Sequence, residues 1–386
     1  MKRRVVLVLG MALLASACVG TRPYPGFCPA SGAGAGPTNT APDPTRSEPA
    51  EAFALSGGPA RDKLAILVLS GGGSWGAYGA GFLGGWSERA VQLGYERPRF
   101  DMVTGISTGA IIAPFALLGP QWDATLATAY RGVRKADIFE ARSLLGLPFW
   151  NSLTDPAPME KRLGAALNDR AVAELAQAAE ARRSVWIGAT NYDTGRFTRF
   201  NLTDIARRLP PREAHDAIVQ RVMAAAAIPF FFPPRFIDGC MYMDGGVREN
   251  LFLSDVGDEI DAEIGGWRAW GLAKVEIYAI VNGPIAAPPR EAQNTLFDVA
   301  TRSFELASDQ IQLVSLRRDY DFARRSDYTF HWTSADDLIS KSGDPGKCRP
   351  PETAADQFDL EFTLCLFEAG RAKARLAAEP WRTDRP

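Results

Sequence analysis

Ser107 stands in Gly105-Ile106-Ser107-Thr108-Gly109, directly after the apolar stretch Phe100-Asp101-Met102-Val103. A serine between two glycines, where a strand gives way to a helix, is held on a sharp turn with its hydroxyl directed outward as a nucleophile. Thirty-six positions earlier, Gly71-Gly72-Gly73 follows a second apolar stretch, Leu64 to Leu69. Three residues without Cβ ahead of a helix present amide N–H groups and the positive helix end to an anion. No Gly-Lys-Ser/Thr follows, and Trp75 occupies the place a phosphate-binding lysine would take. Far downstream, Asp244-Gly245-Gly246 supplies a carboxylate whose glycine neighbours allow close approach. Nucleophile, oxyanion donors and base together are the parts of acyl transfer through a serine.

The base follows by elimination. The chain has two histidines, His215 in a charged helical stretch and His331 in Tyr328-Thr329-Phe330-His331-Trp332, a strand pattern. Neither sits in a loop suited to a catalytic imidazole, so each reads as solvated or satisfied in the core. Asp244 is the better candidate. A carboxylate near pKa 4 is a weak base for an alcohol, so a dry cleft would have to raise it while leaving it ionised.

These residues need a rigid frame. Lys63 to Ser70, Phe100 to Thr104, Val185 to Thr190, Phe197 to Asn201, Arg235 to Met243 and Val275 to Val281 carry strand signals. Helical spacing covers Ser74 to Arg89, Ser107 to Leu118 (stopped by Gly119-Pro120), Met159 to Leu167, Ala171 to Arg182, Glu213 to Ala227 and Glu291 to about Arg325. Alternation of the two predicts an α/β fold in three layers, a central, mostly parallel sheet with helices on both faces.

The order Gly-Gly-Gly-x-x-Gly, Gly-x-Ser-x-Gly, Asp-Gly-Gly resembles the patatin-like phospholipase family. Ala189-Thr190-Asn191-Tyr192-Asp193-Thr194-Gly195-Arg196, Ala224-Ala225-Ala226-Ala227-Ile228-Pro229 and Phe232-Pro233-Pro234 are similar to further stretches of it, so the likeness runs from about Lys63 to Val281. It departs at Trp75, where Arg or Lys is frequent, and at Ala225, where Ser is common. The resemblance implies a Ser107–Asp244 dyad, an oxyanion hole at Gly71, Gly72 and Gly73, and hydrolysis of carboxylic esters of phospholipids or lysophospholipids through an acyl-enzyme. No cofactor or metal is implied. An acyltransferase or thioesterase, or a non-hydrolytic envelope lipid-binding or interaction protein on the same fold, are the alternative readings. Trp75, Tyr78, Phe82, Phe230, Phe231 and Phe232 are candidates for an acyl groove or for core packing.

The N-terminus adds a location. Lys2, Arg3 and Arg4 precede the apolar run Val5 to Leu14, and Ala15-Ser16-Ala17 leads into Cys18. That pattern reads as a signal peptide over 1–17, and a cysteine directly after it resembles a bacterial lipobox, with Ala15 where Leu is commoner; Cys18 is expected to be lipidated, ordinary secretion being the alternative. By resemblance to lipoprotein sorting in enteric bacteria, Val19 rather than Asp after it favours the outer membrane, with the periplasmic face as the alternative. Residues 18–60, rich in Pro, Gly, Ala, Ser and Thr, read as the lipidated cysteine and a flexible tether, and 61–386 as the hydrolase domain. A membrane-anchored lipoprotein of the bacterial cell envelope, acting on acyl lipid, is therefore expected. Export permits disulfides, of which Cys348–Cys365 closes most easily; Cys240 reads equally as a buried thiol. A net charge of −2 over 386 residues supplies no basic field for nucleic acid, and the oligomeric state is unread.

Overall fold

The computed structural model describes residues 28, 63–142, 151–254, 256, 274–286, 291–340, 344, 346–351 and 358–386. The signal peptide, Cys18 and the tether apart from Cys28 lie outside the described residues.

In chain order the elements are β1 (Lys63–Leu69), α1 (Gly76–Gln92), β2 (Met102–Ile106), α2 (Thr108–Leu118), α3 (Asp123–Tyr130), α4 (Lys135–Ile138), β3 (Glu140–Ala141), β4 (Thr154–Asp155), α5 (Ala157–Ala166), α6 (Asp169–Glu180) and β5 (Ser184–Asn191). There follow β6 (Phe197–Asn201), α7 (Leu202–Arg208), α8 (Pro211–Ala225), β7 (Arg235–Ile237), β8 (Cys240–Asp244), β9 (Lys274–Ile280), α9 (Leu296–Arg325), β10 (Thr329–Thr333) and α10 (Leu360–Leu376). The main sheet runs β10-β9-β1-β2-β5-β8-β7, with β6 also on β5. Strands β10, β9, β1, β2 and β5 are parallel; β6, β7 and β8 pair antiparallel.

The three-layer α/β expectation holds, and alternation along the strands shows why. Ala65, Leu67 and Leu69 face one core with Val103, Val185 and Ile187, whereas Leu64, Ile66 and Val68 face another with Met102, Ile106 and Trp186. Residues of α1, α2, α6, α8 and α10 close the first core; α9 and Leu251 to Leu253 close the second. A sheet buried on both sides reads as unbroken apolar runs, which is what Leu64 to Leu69 is.

Three expectations change. The stretch Arg235 to Met243 is a hairpin of two strands, turning at Asp238 and Gly239 with φ of 51° and 80°, the left-handed pair that a tight two-residue turn requires. Cys240 is bonded to Cys28, alongside the expected Cys348–Cys365 bridge. Cys28, read from the sequence as part of a free tether, is 1% exposed and packed in the first core.

Helices α1 and α10 cross closely because glycines remove the side chains between them. A Cβ on Gly81 would lie 2.0 Å from the Phe367 carbonyl oxygen, backbone that cannot step aside. Gly81→Ala is expected to lower stability by about 2–3 kcal/mol in urea unfolding, without changing the reactivity of Ser107 toward a fluorophosphonate.

Candidate active site

Strand register brings the two chemistry-bearing motifs together. On β5, Gly188 pairs with Ile106 of β2 and with Arg199 of β6, while Ala189 pairs with Asp244 of β8 and with Thr198 of β6. Since β6 occupies one edge of β5, β2 and β8 share the other. They arrive from opposite directions, so Ser107, one residue past Ile106, meets Asp244 end to end. A Cβ on Gly245 would lie 2.5 Å from the Gly188 carbonyl oxygen and 3.2 Å from Ile106 Cγ2, so only glycine fits at this junction.

The segment Ala224 to Pro229 fastens both residues. The Ser107 N–H donates to the Ala225 carbonyl at 3.2 Å, and the Asp244 N–H to the Ala227 carbonyl at 2.9 Å. Ser107 has φ 53° and ψ −122° at the start of α2, a left-handed conformation that costs a non-glycine residue about 1–3 kcal/mol and turns its hydroxyl out of the chain path. The glycine two positions later lets α2 start hard against the end of β1, since a Cβ on Gly109 would fall 2.5 Å from the Leu69 carbonyl oxygen.

Asp244 is 4% exposed. Burial pushes its carboxyl up to about 6, against the hydrogen bond of the Ser107 side chain and the Gly246 N–H, which pull it down. The Gly246 N–H donates to Oδ1 at 2.7 Å. Oδ2 has no partner within full hydrogen-bond geometry, so the Ser107 contact is a loose one.

The glycine loop lies against Ser107 and is braced from behind. The Gly71 N–H donates to Asn250 Oδ1 at 2.7 Å, and a Cβ there would lie 3.2 Å from that of Ser107. Asn282 donates its N–H to Ser70 Oγ and its Nδ2 to the Ser70 carbonyl, both at 2.7 Å. Gly72 has φ 147°, and a Cβ would be 1.8 Å from the Asn282 carbonyl oxygen. Of the three glycines read as oxyanion donors, Gly71 has its amide engaged by Asn250, while Gly73 lines a cavity together with Ser107.

That cavity, about 440 Å³, runs from Ser107 between α2, α3 and α5, over Ile111, Phe115, Val133, Met159, Leu163 and Phe232. Arg162 and Asp137, paired at 3.8 Å, also line it. Among the six aromatic candidates only Phe232 lines it. Tyr78 and Phe82 are buried in the core, Trp75 packs edge-on against Phe362 at 5.0 Å, and Phe230 is 65% exposed. Ile111 follows Ser107 by one helical turn and was legible from that spacing. Met159, Phe358 and Asn250 come from distant segments and carry no local signal.

The histidines are elsewhere. His215 Nε2 lies 3.0 Å from the Gly164 carbonyl, and His331 stacks on Tyr278 at 4.9 Å in β10, three strands from β2. A Cys28, Asp193, Cys240 cluster has metal-ligand spacing, but its sulfurs are spent in the disulfide.

Residues 67–256 match the family model for patatin-like phospholipase. The chain carries a patatin-like phospholipase domain. At the level of that family it is a lipid acyl hydrolase, and the glycine loop, Ser107 and Asp244 all fall inside the patatin-like span. Phe358 and Thr363, which also line the cavity, fall outside it. Among solved structures, VipD from Legionella pneumophila is similar at 11% identity and a TM-score of 0.37, over 82% of this chain and 67% of that one. No curated protein matches the chain.

The buried carboxylate has a thermodynamic signature. With a folded pKa of about 6 against about 4 unfolded, Asp244 holds its proton more tightly when folded. Its contribution to stability is therefore full below about pH 4 and is lost as pH rises through about 6. Asp244→Asn keeps the Gly246 contact without the charge. It is expected to exceed wild type by roughly 2–3 kcal/mol at pH 8 in urea unfolding, the gain vanishing near pH 4.

Proposed function

We propose that the protein is an exported serine esterase that hydrolyses carboxylic esters of phospholipids or lysophospholipids through a Ser107–Asp244 dyad. The observation that carries this reading is the end-to-end approach of Ser107 and Asp244 on one edge of β5, beside an apolar cavity.

Ser107 Oγ attacks the ester carbonyl carbon while its proton passes to Asp244. The oxyanion is held by the amides of Gly72 and Gly73, in the turn that leads into α1, where the helix dipole adds to the N–H groups. Collapse expels the alcohol, the lysolipid or glycerol part, which takes the proton from Asp244. A water then attacks the acyl-enzyme by the reverse assignment and frees the fatty acid. Ionised Asp244 is the competent form, and burial raises its basicity toward the alcohol without neutralising it at pH 7. The cavity suits the acyl chain, with Ile111 and Phe115 on the same helix that Ser107 begins.

The reading includes acylation at Cys18 and anchorage at a membrane of the bacterial envelope. Two disulfides support an oxidising compartment.

Ser107→Ala and Asp244→Asn are each expected to lower p-nitrophenyl ester hydrolysis by about a thousandfold or more, with fluorophosphonate labelling lost in the first. Full activity in Asp244→Asn would sink the dyad. The kcat/KM of wild type should rise with pH through an apparent pKa of about 6, measured on a butyrate ester. Ile111→Trp, which fills the cavity, should cut kcat/KM for a palmitate ester about tenfold or more while leaving the butyrate ester within about threefold.

A further inference from the structure

The disulfide that removes Cys28 from the tether also decides how the body hangs. β8 runs antiparallel to β5, with Tyr242 level with Asn191, the last residue of β5. Cys240 is two residues beyond that level and four residues from Asp244, about 13 Å along the strand. The Cys28–Cys240 bridge therefore sits on the edge of the sheet where β1, β2 and β5 end. That edge carries the glycine loop, the Ser107 turn and the cavity. Lys63, where β1 begins, is on the opposite edge, at the far end of a seven-residue strand.

Sequence length gives this a consequence. Cys18 and Cys28 are ten positions apart, whereas Cys18 and Lys63 are forty-five apart. Ten residues reach at most about 33–36 Å. We propose that in the lipid-anchored protein the Cys28–Cys240 disulfide makes those ten residues the working tether, so that the site-bearing edge of the sheet faces the bilayer holding the Cys18 acyl chains. The bilayer is the partner of this face. A tether acting through Lys63 alone would instead suspend the protein from the edge remote from Ser107.

Two exposed aromatics fit the same orientation. Phe230 is 65% exposed with φ 71°, and it lies between Ile228 and Phe232, both of which line the cavity. A bulky residue held in a left-handed conformation with its ring in solvent gains when that ring enters the lipid interface. Tyr192, 39% exposed, directly follows the end of β5.

The proposal rests on the reading of Cys18 as acylated and of the site as acting on lipid. Full-length protein made in cells that acylate it is reconstituted in phosphatidylethanolamine–phosphatidylglycerol vesicles. Twenty Gly/Ser residues are inserted either after Gly20, lengthening the short arm, or after Gly36, lengthening the bypassed one. Effective concentration falls as about the −3/2 power of tether length, so tripling the short arm should cut hydrolysis of vesicle lipid about fivefold. The second insertion should leave it within about twofold, and neither should alter a soluble butyrate ester. A fluorophore on an azide-bearing residue at position 239 reports the geometry independently of activity. Its energy transfer to labelled headgroups should fall with the first insertion only, and with both once Cys28→Ser and Cys240→Ser are combined. Mass spectrometry showing unacylated Cys18 overturns the proposal together with that reading. The expected pattern of energy transfer from a protein with no hydrolytic activity supports the proposal and overturns the esterase reading alone. In acylated protein, equal loss of transfer from both insertions, or from neither, overturns the proposal alone.

Discussion

Everything at the site depends on β2 and β8 competing for one edge of β5 and dividing it between them. β2 pairs up to Gly188 and stops; β8 comes down to Ala189 and stops. Two strand ends pointing at each other leave two side chains, Ser107 and Asp244, in a gap where backbone pairing has run out. The residue after Asp244 has no room for an ordinary side chain, which is why a glycine, Gly245, sits against Gly188 and Ile106. Pairing along β5, rather than any helix, sets the separation of Ser107 and Asp244.

The arrangement carries costs that the surroundings absorb. Ser107 is held at positive φ and Asp244 is held as a buried carboxyl with one oxygen unsatisfied. Both are braced by backbone bonds to the alanine segment at the end of α8, and the glycine loop is braced by Asn250 and Asn282. Such strain persists only where neighbours over-determine it. Here the neighbours come from three separate parts of the chain, the alanine segment, Asn250 and Asn282, so the arrangement is fixed by packing across the fold.

Apolar surface and the disulfide extend the same logic outward. A cavity that begins at Ser107 and continues between α2, α3 and α5 can take a flexible chain without moving the sheet. The bridge from Cys28 to the β7–β8 hairpin fastens the strand that ends in Asp244 to a segment far earlier in the sequence. The bond thus contributes directly to the placement of that strand.

Local chemistry was legible without coordinates. Glycine spacing about Ser107, the run at Gly71 and the Asp-Gly-Gly tripeptide reflect constraints within a few residues, and apolar runs such as Leu64 to Leu69 reflect burial on both faces of a strand. The three-layer frame followed from that patterning. What no spacing encodes is which distant backbone lies beside a residue. The turn at Asp238-Gly239, the Asn250 side chain claiming the Gly71 amide, the cavity wall from Met159 and Phe358, and the partner of Cys240 all depend on contacts between segments tens to hundreds of residues apart. Sequence alone marked Ser107, Asp244 and the glycine run as candidates for acyl transfer, because candidacy is a property of a side chain and its immediate backbone. Tertiary structure decided which of them meet, because meeting is set by strand register and packing across the whole sheet.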